Sequence, residues 1–263
     1  MRRILAVVVM TLVAVSCSTV PVTGRTSLSL IPEAELASMS LSSYQQFLAE
    51  APLSTDPEAI ATVRRVGERM AGATEAYLRS LGLSTATFAW EFNVVDEPET
   101  LNAWVMPGGK VVVYTGILTV AENDEGLATV MGHEIAHIVA KHGNERMSQG
   151  LLTQMGGVAL SVALRENSAL TQGLFMQAYG AGAQVGLLLP YSRLHESDAD
   201  RCGRTRVAMA AYDPRAAIGF WERLAARGGE RPPAFLSTHP APESRIANIR
   251  QYLPEALAVY QPQ

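Results

Sequence analysis

Glu125-Gly-Leu-Ala-Thr-Val-Met-Gly-His-Glu-Ile-Ala-His-Ile-Val-Ala-Lys-His142 decides how this chain is read. Leu127, Val130, Met131, Ile135, Ile138 and Val139 recur at helical spacing, the pattern of a helix with a buried side. Asn123 or Asp124 can cap its start, and Lys141, His142 and Gly143 mark its end. Inside it, His133-Glu134-Ile135-Ala136-His137 spells H-E-x-x-H. Four residues of α-helix turn through about 400°, so the two imidazoles leave nearly the same face, one turn apart. That geometry suits two of the three protein ligands of a catalytic zinc, with Glu134 beside the water such an ion would hold. A chance match would more often fall in a loop or a strand.

The position of the third ligand separates classes of such sites. An H-E-x-x-H-x-x-G-x-x-H pattern needs Gly at 140 and His at 143, where this chain has Ala140 and Gly143. His142 does not replace it, because it lies about 180° round the helix from His133. It reads instead as a partner of the helix C-terminal dipole. The other class draws a glutamate from a later helix, and Ser192-Arg-Leu-His-Glu-Ser-Asp-Ala-Asp-Arg-Cys202 provides Glu196-x-x-x-Asp200. This spacing lets Glu196 reach a metal while Asp200 accepts a hydrogen bond from a ligand histidine, taken as His133. Taken alone, Glu196, Asp198 and Asp200 also read as a solvated acidic face paired with Arg193, Arg201 and Arg204.

Four motifs together resemble a known family. H-E-I-A-H, the E-S-D-A-D run, Asn102-Ala-Trp-Val-Met-Pro-Gly-Gly-Lys-Val-Val-Val-Tyr-Thr-Gly-Ile-Leu118 and Ser237-Thr-His-Pro240 are similar to the HtpX and CAAX-prenyl-endopeptidase superfamily of gluzincins. The bacterial lipoprotein branch, with its LoiP-like and BepA-like proteases, is the nearest in pattern, and Pro21-Val-Thr-Gly-Arg25 resembles it too. The resemblance implies an α+β, mainly helical metalloprotease domain with a small antiparallel sheet beside the H-E-x-x-H helix. It implies one Zn2+ per chain on His133, His137 and Glu196, and Glu134 as general base. It implies an extended substrate along Asn102, Ala103 and Trp104, with strand Val111–Tyr114 behind. His239 would lie in a loop approaching the zinc, and Arg245 early in the following helix.

The N-terminus joins Met1-Arg-Arg to an almost wholly apolar run, Ile4 to Val15, and then Ser16-Cys17. A basic start, a short apolar run and a small-residue end describe a secretory signal, since a membrane span needs about 20 residues. Ala14-Val-Ser-Cys17 resembles a lipobox, with Ala14 in place of the usual Leu. The expected organisation is a signal peptide over 1–16, a lipidated tether over 17–31 and a single metalloprotease domain over 32–263. Ser18 suggests the outer membrane, facing the periplasm, by analogy with lipoprotein sorting. The only other cysteine, Cys202, reads as a small buried hydrophobe. A net charge of −4 and no basic run argue against a nucleic-acid partner.

Further elements follow from the same signals. Pro32 to Ala49 is a helix with Leu36, Met39, Tyr44, Phe47 and Leu48 on its apolar side. Asp56-Pro57 opens a helix that buries Ile60, Val63, Met70, Tyr77 and Leu78 and stops near Gly82. Phe88 to Val95 and Lys110 to Thr115 are strands, with Gly108-Gly109 turning the chain. Asp213-Pro214 and Ala241-Pro242 open two more helices. Met147 to Pro190 is glycine-bearing and charge-poor, and it reads as a helical pair packed on the core in preference to a lid or a membrane- or partner-touching hairpin.

The expected chemistry is metal-assisted attack of water on a peptide bond in unfolded or misassembled envelope proteins, bound through their backbones. His239 is the candidate oxyanion donor, with Arg245 or Tyr191 behind it, or else a fourth ligand that latches the resting site. The rival is a non-catalytic chaperone or assembly lipoprotein using the same cleft. A pure binder has no need of Glu134, and structural zinc sites favour four ligands with thiolates. A prenyl-protein endopeptidase would need membrane spans that the sequence lacks.

Overall fold

The computed structural model describes residues 17–165, 173, 176–177, 189–227, 235–236, 239 and 242–262. The signal-peptide segment, the Cys17 and Tyr191 side chains and most of 166–188 lie outside these described residues, as do the readings made on them. The chain divides into two compact units, one of Met1–Pro32 with Lys141–Glu196, the other of Glu33–Ala140 with Ser197–Gln263. No helix among the described residues is long and apolar enough to cross a membrane.

The larger unit is helical around a small sheet. Helix α1 spans Glu33–Glu50 and α2 spans Pro57–Ser80, whose cap Asp56 accepts from the Glu58 N–H. Strands β3 (Glu91–Val95), β4 (Ala103–Met106) and β5 (Lys110–Tyr114) lie in the order β3-β5-β4. Positive φ at Gly108 and Gly109 closes the β4–β5 hairpin, and a Cβ on Gly109 would strike the Trp90 ring. β3 runs parallel to β5 while β4 is antiparallel to it, so the sheet is mixed. The hairpin reverses the chain once, and β3 joins the far side of β5 through the 96–102 connection. Two strands on either side of β5 then point in opposite directions.

Helix α3 (Thr115–Ala121) follows β5 directly, and α4 (Asp124–Val139) follows with Asn123 as its cap. Gly126 is required there, because a Cβ would sit 2.0 Å from the Ala121 carbonyl oxygen. Almost every α4 side chain is buried, against α2, β4, α3 and α7 (Ala216–Ala226). The last part of α6 (Leu189–Met209) and helix α8 (Pro242–Leu257) complete this unit. Helix α7 starts two residues after the Asp213-Pro214 signal, because Asp213 caps a preceding turn through Arg215 N–H. Met39 points to solvent rather than into the core; Leu36, Ser40 and Tyr44 are the buried α1 residues.

The smaller unit pairs β1 (Cys17–Thr19) with β2 (Thr26–Leu28) in a short hairpin and docks β2 on α5 (His142–Ala163). Lys141, at φ 58°, ends α4 and starts α5 in one step. His142 is therefore the first residue of a new helix, fully buried, and not a dipole partner at the end of α4. The core packing expected for Met147 onward is absent from α5. Leu151, Met155, Val158 and Val162 are exposed, and its buried residues are the polar His142, Asn144, Glu145, Ser148 and Gln149.

Candidate active site

The site begins with a crossing of two helices. A Cβ on Gly132 would meet the Gly203 carbonyl oxygen at 3.2 Å, and one on Gly203 would meet the Gly132 oxygen at 2.9 Å. Helices α4 and α6 thus touch backbone to backbone one residue before His133 and three after Asp200. Interior glycine weakens a helix by about 1 kcal/mol relative to alanine, so the close approach is what these two positions gain. Sequence reading passed over both; glycine inside two helices that carry the chemistry was the available signal.

The crossing sets His133 Nδ1 3.0 Å from Asp200 Oδ1, and both groups are buried. Arg245 Nε donates to the other Asp200 oxygen at 2.8 Å. Burial pushes the Asp200 carboxyl up, but the Arg245 charge and the hydrogen bonds from His133 and Arg245 outweigh it, and the group is held below its usual value. An ionised Asp200 keeps the proton of His133 on Nδ1 and leaves the Nε2 lone pair directed away from it.

That Nε2 is the hub of the site. It lies 3.1 Å from His137 Nε2, 3.3 Å from His239 Nδ1 and 3.4 Å from an Arg245 nitrogen. The possible ligand atoms of His133, Glu134, His137 and His239 lie within 4.8 Å of one another. Two imidazole nitrogens this close, buried and with one tautomer fixed from behind, fit donors sharing one ion at about 2 Å from each. His239 Nε2 lies 3.4 Å from Glu134 Oε1, so its ring spans the first histidine and the carboxylate. Trp221 and Phe235 pack on the His133 ring, and the Arg245 guanidinium stacks over Trp221 at 4.1 Å. These two aromatics were also missed, since nothing in their local sequence points to the site.

Glu196 is buried one turn before Asp200 on α6, and Asp198 is buried too, so this is not a solvated acidic face. Arg201 pairs with Glu255. Cys202 is fully buried, and burial pushes its thiol up. The substrate-edge residues separate by role. Asn102 accepts at its carbonyl from Tyr114 N–H, so Trp104 and Met106 share its phase towards β5. The backbone groups of Ala103 and Val105 therefore face the outer edge, where the Asn102 side chain takes the Ala103 N–H at 3.0 Å. The Trp104 ring is committed to packing against Tyr44 and Phe47 of α1.

Known proteins similar to this chain are metallopeptidases and proteases. The model of "Peptidase family M48" matches residues 57–253. The mitochondrial metalloendopeptidase OMA1 of Schizosaccharomyces pombe is 39% identical over 169 residues, covering 64% of this chain and 48% of the relative. The human mitochondrial metalloendopeptidase OMA1 is 30% identical over 245 residues, covering 91% of this chain and 46% of the relative. The beta-barrel assembly-enhancing protease of Escherichia coli is 28% identical over 247 residues, covering 89% and 47%. The chain thus spans about half the length of the curated relatives it matches.

Proposed function

Because the chain belongs to peptidase family M48, we propose that it is a zinc-dependent endopeptidase of the cell envelope acting on unfolded or misassembled proteins. The observation that carries this reading is the buried pair of imidazole nitrogens 3.1 Å apart, with Glu134 beside them and Asp200 behind the first. His133 and His137 hold one ion per chain, and Glu196, one helical turn before Asp200, is the third ligand. Zinc, when bound, supplies a Lewis acid that acidifies water and polarises a carbonyl. Glu134 takes the proton of the attacking water and hands it to the leaving amine. Asp200 and Arg245 keep His133 in the tautomer that leaves Nε2 available.

His239 bridges His133 and Glu134 in this structure, which favours a resting latch over an oxyanion donor. His239→Ala then raises activity, whereas loss of a donor would lower it. An extended substrate pairs with the outward backbone of Ala103 and Val105, displacing the Asn102 side chain from the Ala103 N–H. Recognition through backbone selects chains that can present a free strand, which is what an unfolded protein offers. The leader supports the envelope and a lipid anchor at Cys17, since its apolar run is unlike an Arg- and Ser-rich mitochondrial transit peptide. Casein cleavage that is abolished by a chelator, and by Glu134→Gln with zinc content retained, is the expected result. Full activity in Glu134→Gln would sink the assignment.

A further inference from the structure

β3 lies at the edge of the three-stranded sheet away from β4. Glu91 N–H donates to the Gly109 carbonyl, so odd-numbered residues of this stretch bond to β5 and even-numbered ones turn their backbone outward. Further along, the outward Val94 carbonyl accepts from Ser54 N–H and Asp96 N–H donates to Pro52. Trp90 and Phe92 share the outward phase and have no backbone hydrogen bond on that side among the described residues. An edge left open over these residues, beside a stretch where the chain already pairs, is a template for another strand.

A groove of about 530 Å³ runs beside this edge, between β3 and one face of α2. Arg64, Glu68, Gly72 and Glu75 line its helical side. At 1.5 Å per residue that stripe is about 16 Å long, the span of roughly five extended residues. The strand side is aromatic. Phe88, Trp90 and Phe92 stack in a row with centroids 4.9 and 6.4 Å apart, and all three are partly exposed. Gly67 is explained by this row, since a Cβ there would strike the Phe92 ring. Gly72 has no such partner, because its Cβ would meet nothing within 4 Å. Interior glycine weakens a helix relative to alanine, and what Gly72 supplies in return is room in the groove.

Charge selects the occupant. Three carboxylates, Glu68, Glu75 and Glu91, line the groove with one guanidinium, Arg64. Glu75 is engaged by Arg79 and the Trp90 indole N–H, and Glu91 by Lys110. Glu68 is exposed and makes no ion pair among the described residues. Aromatic faces beside carboxylates suit an ammonium or guanidinium group. We propose that this groove docks an extended polypeptide segment with Lys or Arg at alternate positions, paired through its backbone to Trp90 and Phe92. Alternate side chains of a strand share one face, so the basic groups all reach the α2 side. The groove shares no residue with the metal site, and the inference does not rest on the peptidase reading.

The test adds a short unstructured peptide with lysine at alternate positions to the full chain, and in parallel a twin with glutamate in those places. Chelator is present throughout, so neither peptide is cleaved and the outcome is independent of zinc. Fluorescence anisotropy gives the affinity, and amide hydrogen exchange shows where the peptide sits. The lysine peptide should bind more tightly than its twin and slow exchange over 90–92. Gly72→Leu, which fills the groove, should weaken binding roughly tenfold. Glu68→Gln should weaken it about two- to fivefold, the span of an exposed ion pair. Gly72→Ala should raise Tm, as befits a glycine with no packing duty. Equal binding of the two peptides, unchanged exchange over 90–92, or wild-type affinity in Gly72→Leu overturns the proposal. So does self-association of the chain that Gly72→Leu abolishes, which would give the groove to a second copy. If Gly72→Leu does not fold, Glu68→Gln decides by the same two readouts.

Discussion

Helices α4 and α5 are separated by two residues, Ala140 and Lys141, and use their side chains in opposite ways. α4 buries apolar residues nearly all round and sets its two histidines among them. α5 buries a polar face, through its first two turns only, and leaves Met155 66% and Val158 61% exposed. A mean apolar composition therefore says little about which side of a helix is covered. In α4 the covering comes from packed helices and a sheet; in α5 it comes from a hairpin that offers hydrogen bonds and one cation.

The comparison can be broken most severely at the α4–α6 crossing. Gly203→Val places a Cβ 2.9–3.0 Å from the Gly132 and His133 backbone, and is expected to cost more than about 4 kcal/mol together with zinc binding. Denaturant unfolding and metal content measure both; a stable, zinc-loaded variant would refute the close crossing. Met131→Ala, in the α4 core, should cost about 2–5 kcal/mol by the same unfolding measurement.

The polar face of α5 predicts a pH effect. Burial raises the Glu145 carboxyl, but hydrogen bonds from His195 and Arg25 and their charges bring it to about 2, from an ordinary 4.5. Its folded value is depressed, so its contribution is complete above 4.5 and is lost as pH falls towards 2. The wild type should lose on the order of 3 kcal/mol more than Glu145→Gln over that window. Parallel acid titrations of the two would show that Glu145 is not specially held. The smallest effect is expected on the outer face of α5: Met155→Ser and Val158→Thr should each stay within about 0.5 kcal/mol of wild type. A loss of several kcal/mol there would mean the face is covered in solution.

Local signals were legible wherever a residue acts through its own neighbours. Asp56 and Asn123 cap as their chemistry dictates, Gly108-Gly109 turns the β4–β5 hairpin, and Pro242 opens α8. H-E-x-x-H falls inside α4 because its apolar spacing already required a helix. Met39 and His142 were misread for one reason. Both depend on what another element does nearby, and periodicity assigns a face without saying what meets it.

The sequence by itself determined that two histidines share one helix face with a glutamate between them, because α-helical periodicity is a property of the backbone. It also determined that a later helix carries Glu196 and Asp200 at one-turn spacing. Only the tertiary structure decided that Asp200 stands behind His133, that Arg245 and not Arg201 neutralises it, and that His239 bridges His133 and Glu134. Those contacts join residues from 45 to 106 positions apart. The first of them exists because Gly132 and Gly203 let two backbones touch, which is a matter of absent side chains meeting in space and is written at neither position alone.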